Sequence, residues 1–231
     1  MIEDIKFSDI VKFKPWVGEN YKQGFRGKKL LILGDSHYCE ADKNRNAVCQ
    51  ENWLKNKKKC AYDCMDCNCY EMTRDLMRKQ YLPYRRGEEK YCKEFRSHLC
   101  FEKIIFGEAT VSNNDAFAFW NSVAFYNYAQ HSQSGTSKAM EHPDAAPLYK
   151  EALYEVLEKL KPSHIIVWSK RCYDLLPIGI ADDEDIIVGD YSTKFRKYNI
   201  NGDIVKAVGI SHPSRAGQVE WHTLLKAFFK L

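Results

Sequence analysis

The stretch Lys29-Leu30-Leu31-Ile32-Leu33-Gly34-Asp35-Ser36-His37-Tyr38 decides how the rest of the chain is read. A continuous apolar run ends at a glycine and opens into polar and aromatic residues. A run that short, without alternation, reads as a strand buried on both faces, the pattern of a parallel sheet. The glycine lets a ligand approach the backbone closely, and open α/β sheets bind ligands at the carboxyl ends of their strands. Taken alone, the stretch reads equally well as an ordinary strand and a polar turn.

Downstream, the same rhythm returns. Val123-Ala124-Phe125-Tyr126-Asn127-Tyr128 is β-prone and closes on an asparagine. Residues 146–161 predict a helix, with Leu148, Ala152, Leu153, Val156, Leu157 and Leu160 on one face and Pro162 after its end. His164-Ile165-Ile166-Val167-Trp168 reads as a third buried strand, residues 171–176 as a helix cut at Pro177, and residues 204–210 as a fourth strand. A terminal helix over 219–229 buries Leu224, Leu225, Phe228 and Phe229, and Asp182-Asp183-Glu184-Asp185 reads as a solvated loop. Residues 1–29 are expected to form a helix and turn with a basic edge at Arg26-Gly27-Lys28-Lys29, which alternatively serves as a lip for phosphates. Strands alternating with helices predict an α/β fold: a three-layer α/β/α sandwich around a short parallel sheet of about four strands, in one domain over residues 1–231.

From about residue 39 to 114 the rhythm is lost. This basic stretch holds Cys39, Cys49, Cys60, Cys64, Cys67, Cys69, Cys92 and Cys100, and reads as an insertion that caps the strand ends. Its dense part, Cys60-x3-Cys64-x2-Cys67-x-Cys69, suggests a structural zinc site, with an iron–sulphur cluster or free thiols as the other readings. The net charge of +4 permits an anionic partner without demanding one. No apolar stretch reaches membrane-spanning length and Glu3 and Asp4 are unlike a signal peptide, so a cytoplasmic monomer with no membrane partner is expected.

Three of the four strands end in polar residues: Gly34-Asp35-Ser36-His37-Tyr38, Asn127, and Ser211-His212-Pro213-Ser214. Parallel strands present their carboxyl ends on one edge, so a carboxylate, a carboxamide and an imidazole should surround one pocket. Each residue alone has a plainer reading: Asp35 as a helix cap, Asn127 as a turn cap, His212 as a core histidine.

These motifs resemble the uracil-DNA glycosylase superfamily over residues 29–38 and 120–231. Gly34-Asp35-Ser36-His37-Tyr38 is similar to its first motif, Asn127 to its base-reading asparagine, residues 161–168 to its helix–Pro–strand segment, and His212-Pro213-Ser214 to its closing His-Pro-Ser. The resemblance implies a monofunctional DNA glycosylase that flips a nucleotide out of DNA and needs no cofactor for catalysis. Asp35, Asn127 and His212 would be its catalytic residues. Asn127, both donor and acceptor, would bind the base edge. His212 would hydrogen-bond the carbonyl that gains charge as the N-glycosidic bond breaks, and Asp35 would steer water or stabilise the sugar cation. Tyr38 would wall off the base, Arg215 would act as a wedge, and the backbone around Ser36 and Ser214 would hold phosphates, with Gly34 and His37 completing the substrate site. The chain departs from the best-studied branch, which has its catalytic Asp where Ser36 stands, while His37 replaces a proline. A damaged or hypermodified base, as in invading phage DNA, is therefore an expected substrate beside uracil. A catalytically silent nucleic-acid-binding module and a nucleotide or nucleoside hydrolase are the alternatives.

Overall fold

The computed structural model describes residues 5–39, 71–130, 132–134 and 146–231, of which 38, 39, 132–134 and 146 are described by their backbone only. Its centre is a seven-stranded mixed sheet, so the α/β class holds and the sheet is larger than expected. In chain order the strands are β1 (Trp16–Val17), β2 (Leu30–Gly34), β3 (His37–Cys39), β4 (Ala124–Asn127), β5 (Ser132–Ser134), β6 (His164–Trp168), β7 (Glu184–Val188), β8 (Tyr191–Ile200) and β9 (Asp203–Ile210). The main sheet runs β1-β4-β2-β6-β9-β8-β7, while β3 and β5 pair in parallel apart from it. β4, β2, β6 and β9 are mutually parallel. They are the four apolar runs anticipated from the sequence.

The extra strands are antiparallel. β1 joins β4, and β8 and β7 extend the sheet from β9 as a meander. Turn chemistry explains the meander. β8 and β9 are joined by Asn201-Gly202, with φ of 54° and 93°, the left-handed pair that a type I′ hairpin requires. Gly189, at φ 59°, opens the two-residue turn between β7 and β8. The expected acidic loop is thus partly strand: Glu184 and Asp185 lie in β7. Asp183 accepts a fork from Arg196 Nε and Nη2 at 2.8 and 3.0 Å, and a bond from Tyr173 Oη at 3.0 Å.

Among the described residues six longer helices flank the sheet. α1 occupies residues 72–85, with a π-helical segment at Leu76–Tyr81 between α-helical turns at Met72–Asp75 and Leu82–Arg85. α2 (Arg96–Phe106), α3 (Asn113–Asn121), α4 (Ala146–Leu160), α5 (Lys170–Leu175) and α6 (Gln218–Phe228) follow. α4 stops at Lys161, whose φ is 49°, and Pro162 cannot continue it. Residues 5–29 hold no helix; β1 and turns at Gly24 and Gly27, both at φ 73°, stand there instead.

Apolar cores lie on both sides of the sheet. Ala152, Leu153, Val156 and Leu157 of α4 pack with Leu31, Leu33, Ile165 and Val167. On the other side Phe101, Ile104 and Ile105 of α2, Trp120 of α3, and Trp221 and Leu224 of α6 pack with Ile32, Phe125, Ile166 and Trp168. The described part of the stretch expected as a capping insertion therefore builds much of the core of one face. No helix among the described residues is long and apolar enough to cross a membrane.

Candidate functional site

Among the parallel strands the sheet order is second, first, third, fourth, so the chain reverses its direction of travel between β2 and β6. Crossovers leave that point on opposite faces, which opens a crevice at the carboxyl ends of those two strands. Asp35 and Ser169 follow β2 and β6 there, flanked by Asn127 at the end of β4 and His212 just past β9.

Gly34 is the floor. It is paired with Asn127, and a Cβ on it would collide with Asn127 Oδ1 and come within 3.2 Å of Phe125 Cζ. The absence of a side chain lets the amide lie on the strand. Asn127 is buried, and its Nδ2 stands 2.8 Å from His37 Nε2. A donor amide obliges that nitrogen to accept, so the His37 proton belongs on Nδ1. Thr73 Oγ1 of α1 is also 2.8 Å from Nε2, and Phe13 packs on the ring at a centroid distance of 4.3 Å. Burial lowers the His37 pKa to about 3, which keeps the imidazole neutral and its lone pair available. His37 thus holds the Asn127 amide in one orientation. Gln130 braces the backbone below, donating to the Asn127 carbonyl at 2.9 Å and accepting from the Lys12 amide at 2.9 Å.

Asp35 pairs through Oδ2 with Arg171 Nη2 at 2.9 Å. Its other oxygen, Oδ1, is buried without a hydrogen-bond partner among the described residues, as is Ser36 Oγ. His212 is half-buried and its Nδ1 lies 2.9 Å from Ser214 Oγ. Burial lowers its pKa, Asp35 pulls it back upward and Arg215 lowers it again, and lowering prevails. With the Ser214 hydroxyl donating to Nδ1, a neutral His212 presents Nε2–H as a donor. Arg215 is exposed in the short turn Pro213–Arg215.

Gly34, Asp35, Ser36, His37, Asn127, His212, Ser214 and Arg215 therefore stand at one edge of the sheet. Tyr38 lies in β3, and its side chain is outside the described residues. Cys60, Cys64, Cys67 and Cys69 are also outside them. Among the described residues no group of histidine, cysteine or acidic side chains is arranged to hold a metal ion. Three residues were not anticipated. Thr73 and Arg171 reach the site only through tertiary packing. Ser169 adopts φ 111°, a conformation that side chains rarely take, while its amide donates to the Ile210 carbonyl at 3.0 Å and its Oγ accepts from the Cys172 amide at 3.2 Å. The end-of-strand logic that singled out Asn127 applies equally to Ser169, which directly follows β6.

No protein-family model matches the chain, and no curated protein matches it. The likeness to the glycosylases rests on the residues themselves.

Proposed function

We propose that the protein is a monofunctional DNA glycosylase, a cytoplasmic monomer that hydrolyses the N-glycosidic bond of a damaged or modified base flipped from DNA. The observation that carries this reading is the gathering of Asp35, Asn127 and His212 around the glycine floor at the switch point of the sheet. In this reading the two helical coats make a three-layer α/β/α sandwich, and catalysis needs no cofactor.

Asn127 offers Oδ1 and its second N–H to the base edge, since its first N–H is committed to His37. As the bond between the sugar C1′ and the base nitrogen breaks, its electron pair moves into the base and charge grows on a carbonyl oxygen. Neutral His212 donates to that oxygen, where a protonated imidazole would hand over its proton too early. Asp35 faces the sugar cation and orients the water whose oxygen adds to C1′; the proton that this water sheds neutralises the departed base anion.

The test is a panel of oligonucleotides carrying uracil, hydroxymethyluracil, hypoxanthine and glucosylated cytosine, with abasic-site formation as the readout. His212→Ala is expected to slow release by about 10²–10³-fold, the scale for one donor to a developing anion, with little change in DNA affinity. Base release that is unaffected by both Asp35→Asn and His212→Ala would overturn the assignment.

A further inference from the structure

Between β1, α1 and α3, away from the switch-point crevice, lies a groove of about 280 Å³. One wall is a stripe of residues spaced four apart: Arg74, Arg78 and Leu82 of α1, and Arg86 just past its end. The facing wall includes Trp16 of β1 and Phe117 of α3. Arg74 and Arg78 are like charges four residues apart, a spacing unfavourable in an isolated helix, and Arg74 is offset by Glu71, whose Oε2 lies 3.4 Å from its Nη1. The helix also passes through its π-helical segment between Arg74 and Arg86, a distortion that recurs at functional sites.

The walls are held in place before any ligand arrives. Arg74 Nε donates to the Pro15 carbonyl at 3.0 Å, and the Trp16 indole nitrogen lies 3.5 Å from the Trp120 carbonyl. The Arg86 guanidinium lies 5.6 Å from the Phe117 ring centroid and is forked to Glu88 at 2.7 Å. Glu19 also lines the groove. Guanidinium groups beside aromatic faces suit a ligand with both a phosphate and a flat ring. The volume, near the lower end of ligand pockets, admits one such unit and not a length of strand.

We propose that this groove binds a single nucleotide unit, its phosphate on the arginine stripe and its base toward Trp16 and Phe117. The unit comes either as a free nucleoside monophosphate or as one unpaired residue of a strand. The inference stands apart from the glycosylase reading, because binding here needs neither Asp35 nor base release.

Calorimetric titrations with thymidine 5′-monophosphate and with pentathymidylate separate the two sources, and ribose 5-phosphate tests the need for a base. At least one nucleotide probe should bind, ribose 5-phosphate at least tenfold more weakly. Arg78→Gln with Arg86→Gln should weaken the bound probe at least tenfold, whereas Arg78→Lys should stay within threefold of wild type. Asp35→Asn should bind as wild type, whatever the fate of base excision. If the double variant melts early, quenching of tryptophan fluorescence by the probe, lost in Trp16→Phe, supplies the readout. Absence of binding by both nucleotides, or full affinity in a folded double variant, would overturn the proposal.

Discussion

Under α4 the sheet offers Leu31, Leu33, Ile165 and Val167, whereas its other face carries Gly34, Phe125 and Trp168 and takes in Asn127, His98 and Glu102. The first face is closed by the aliphatic row of α4, with buried tyrosines such as Tyr126, Tyr128 and Tyr198 around it. The second is closed by aromatic rings around polar groups. Glu102, wholly buried, accepts from Arg85, Tyr81 and Trp120, the last at 2.8 Å, and so ties α1, α2 and α3 together. His98 is caged by Tyr81, Trp120, Phe125 and Trp168 at centroid distances of 4.8 to 5.4 Å. The difference teaches that the buried ion pair of Arg85 and Glu102 is held where the coat is built from the stretch that departs from the α/β rhythm, while the polar atoms under α4 are tyrosine hydroxyls.

The comparison breaks most severely at Glu102. Glu102→Ala leaves Arg85 buried without its partner and is expected to cost about 3–5 kcal/mol, measured by urea unfolding. A loss below about 1 kcal/mol would mean the network contributes little.

Acid sharpens the contrast next. Burial lowers the pKa values of His37 and His98 to about 3, against about 6.5 in an unfolded chain. Between those values the unfolded chain binds protons that the folded one refuses, so stability rises with pH across that window and is lost as acid is added. The slope is of order 1.4 kcal/mol per pH unit for each imidazole. His98→Phe should flatten it. Leu157→Ala, on the α4 face, should lower the whole curve by about 2–5 kcal/mol without changing the histidines' contribution to its slope.

Gly34→Ala forces a methyl into Asn127 Oδ1. Stability should fall by about 1–3 kcal/mol, and any base-excising activity should fall with it as the amide is displaced. A fully active, unshifted variant would remove the glycine floor from the site.

Ser169→Gly gives the smallest effect, with the opposite sign. Relief of a backbone at φ 111° is worth about 1–3 kcal/mol, against a few tenths for the lost cap and about 0.5–1 kcal/mol for glycine's greater unfolded freedom. A net gain of about 1 kcal/mol should appear in thermal melts, with slower turnover if the strained residue shapes the crevice.

The parallel strands were legible because burial on both faces leaves an unbroken apolar run, as in residues 30–33 and 164–168. The meander was not, because β7 and the first half of β8 are largely exposed and carry charges such as Glu184, Asp185 and Lys194 that resemble a loop. Asn201-Gly202 was nonetheless a readable hairpin signal. The N-terminal helix failed against Pro15, Gly18, Gly24 and Gly27. In the site, strand-end residues could be ordered in advance because parallel strands share an edge. Thr73 and Arg171 could not, since only the packing of α1 and α5 brings them to His37 and Asp35.

The pairing of β2 with β4 has a temporal consequence. β8 and β9 meet across two residues, whereas β2 reaches β4 only after α1, α2 and α3 have been threaded between them. Closing the longer loops costs more chain entropy, so the meander is expected to form first and the seams of β2 with β4 and β6, the first of which carries Gly34 and Asn127, to close later. Pulsed hydrogen exchange during refolding should protect the amides of Tyr198 and Val205 before those of Leu31 and Leu33; simultaneous protection would refute this order. A refolding chain would then own a finished edge well before it owned a working crevice.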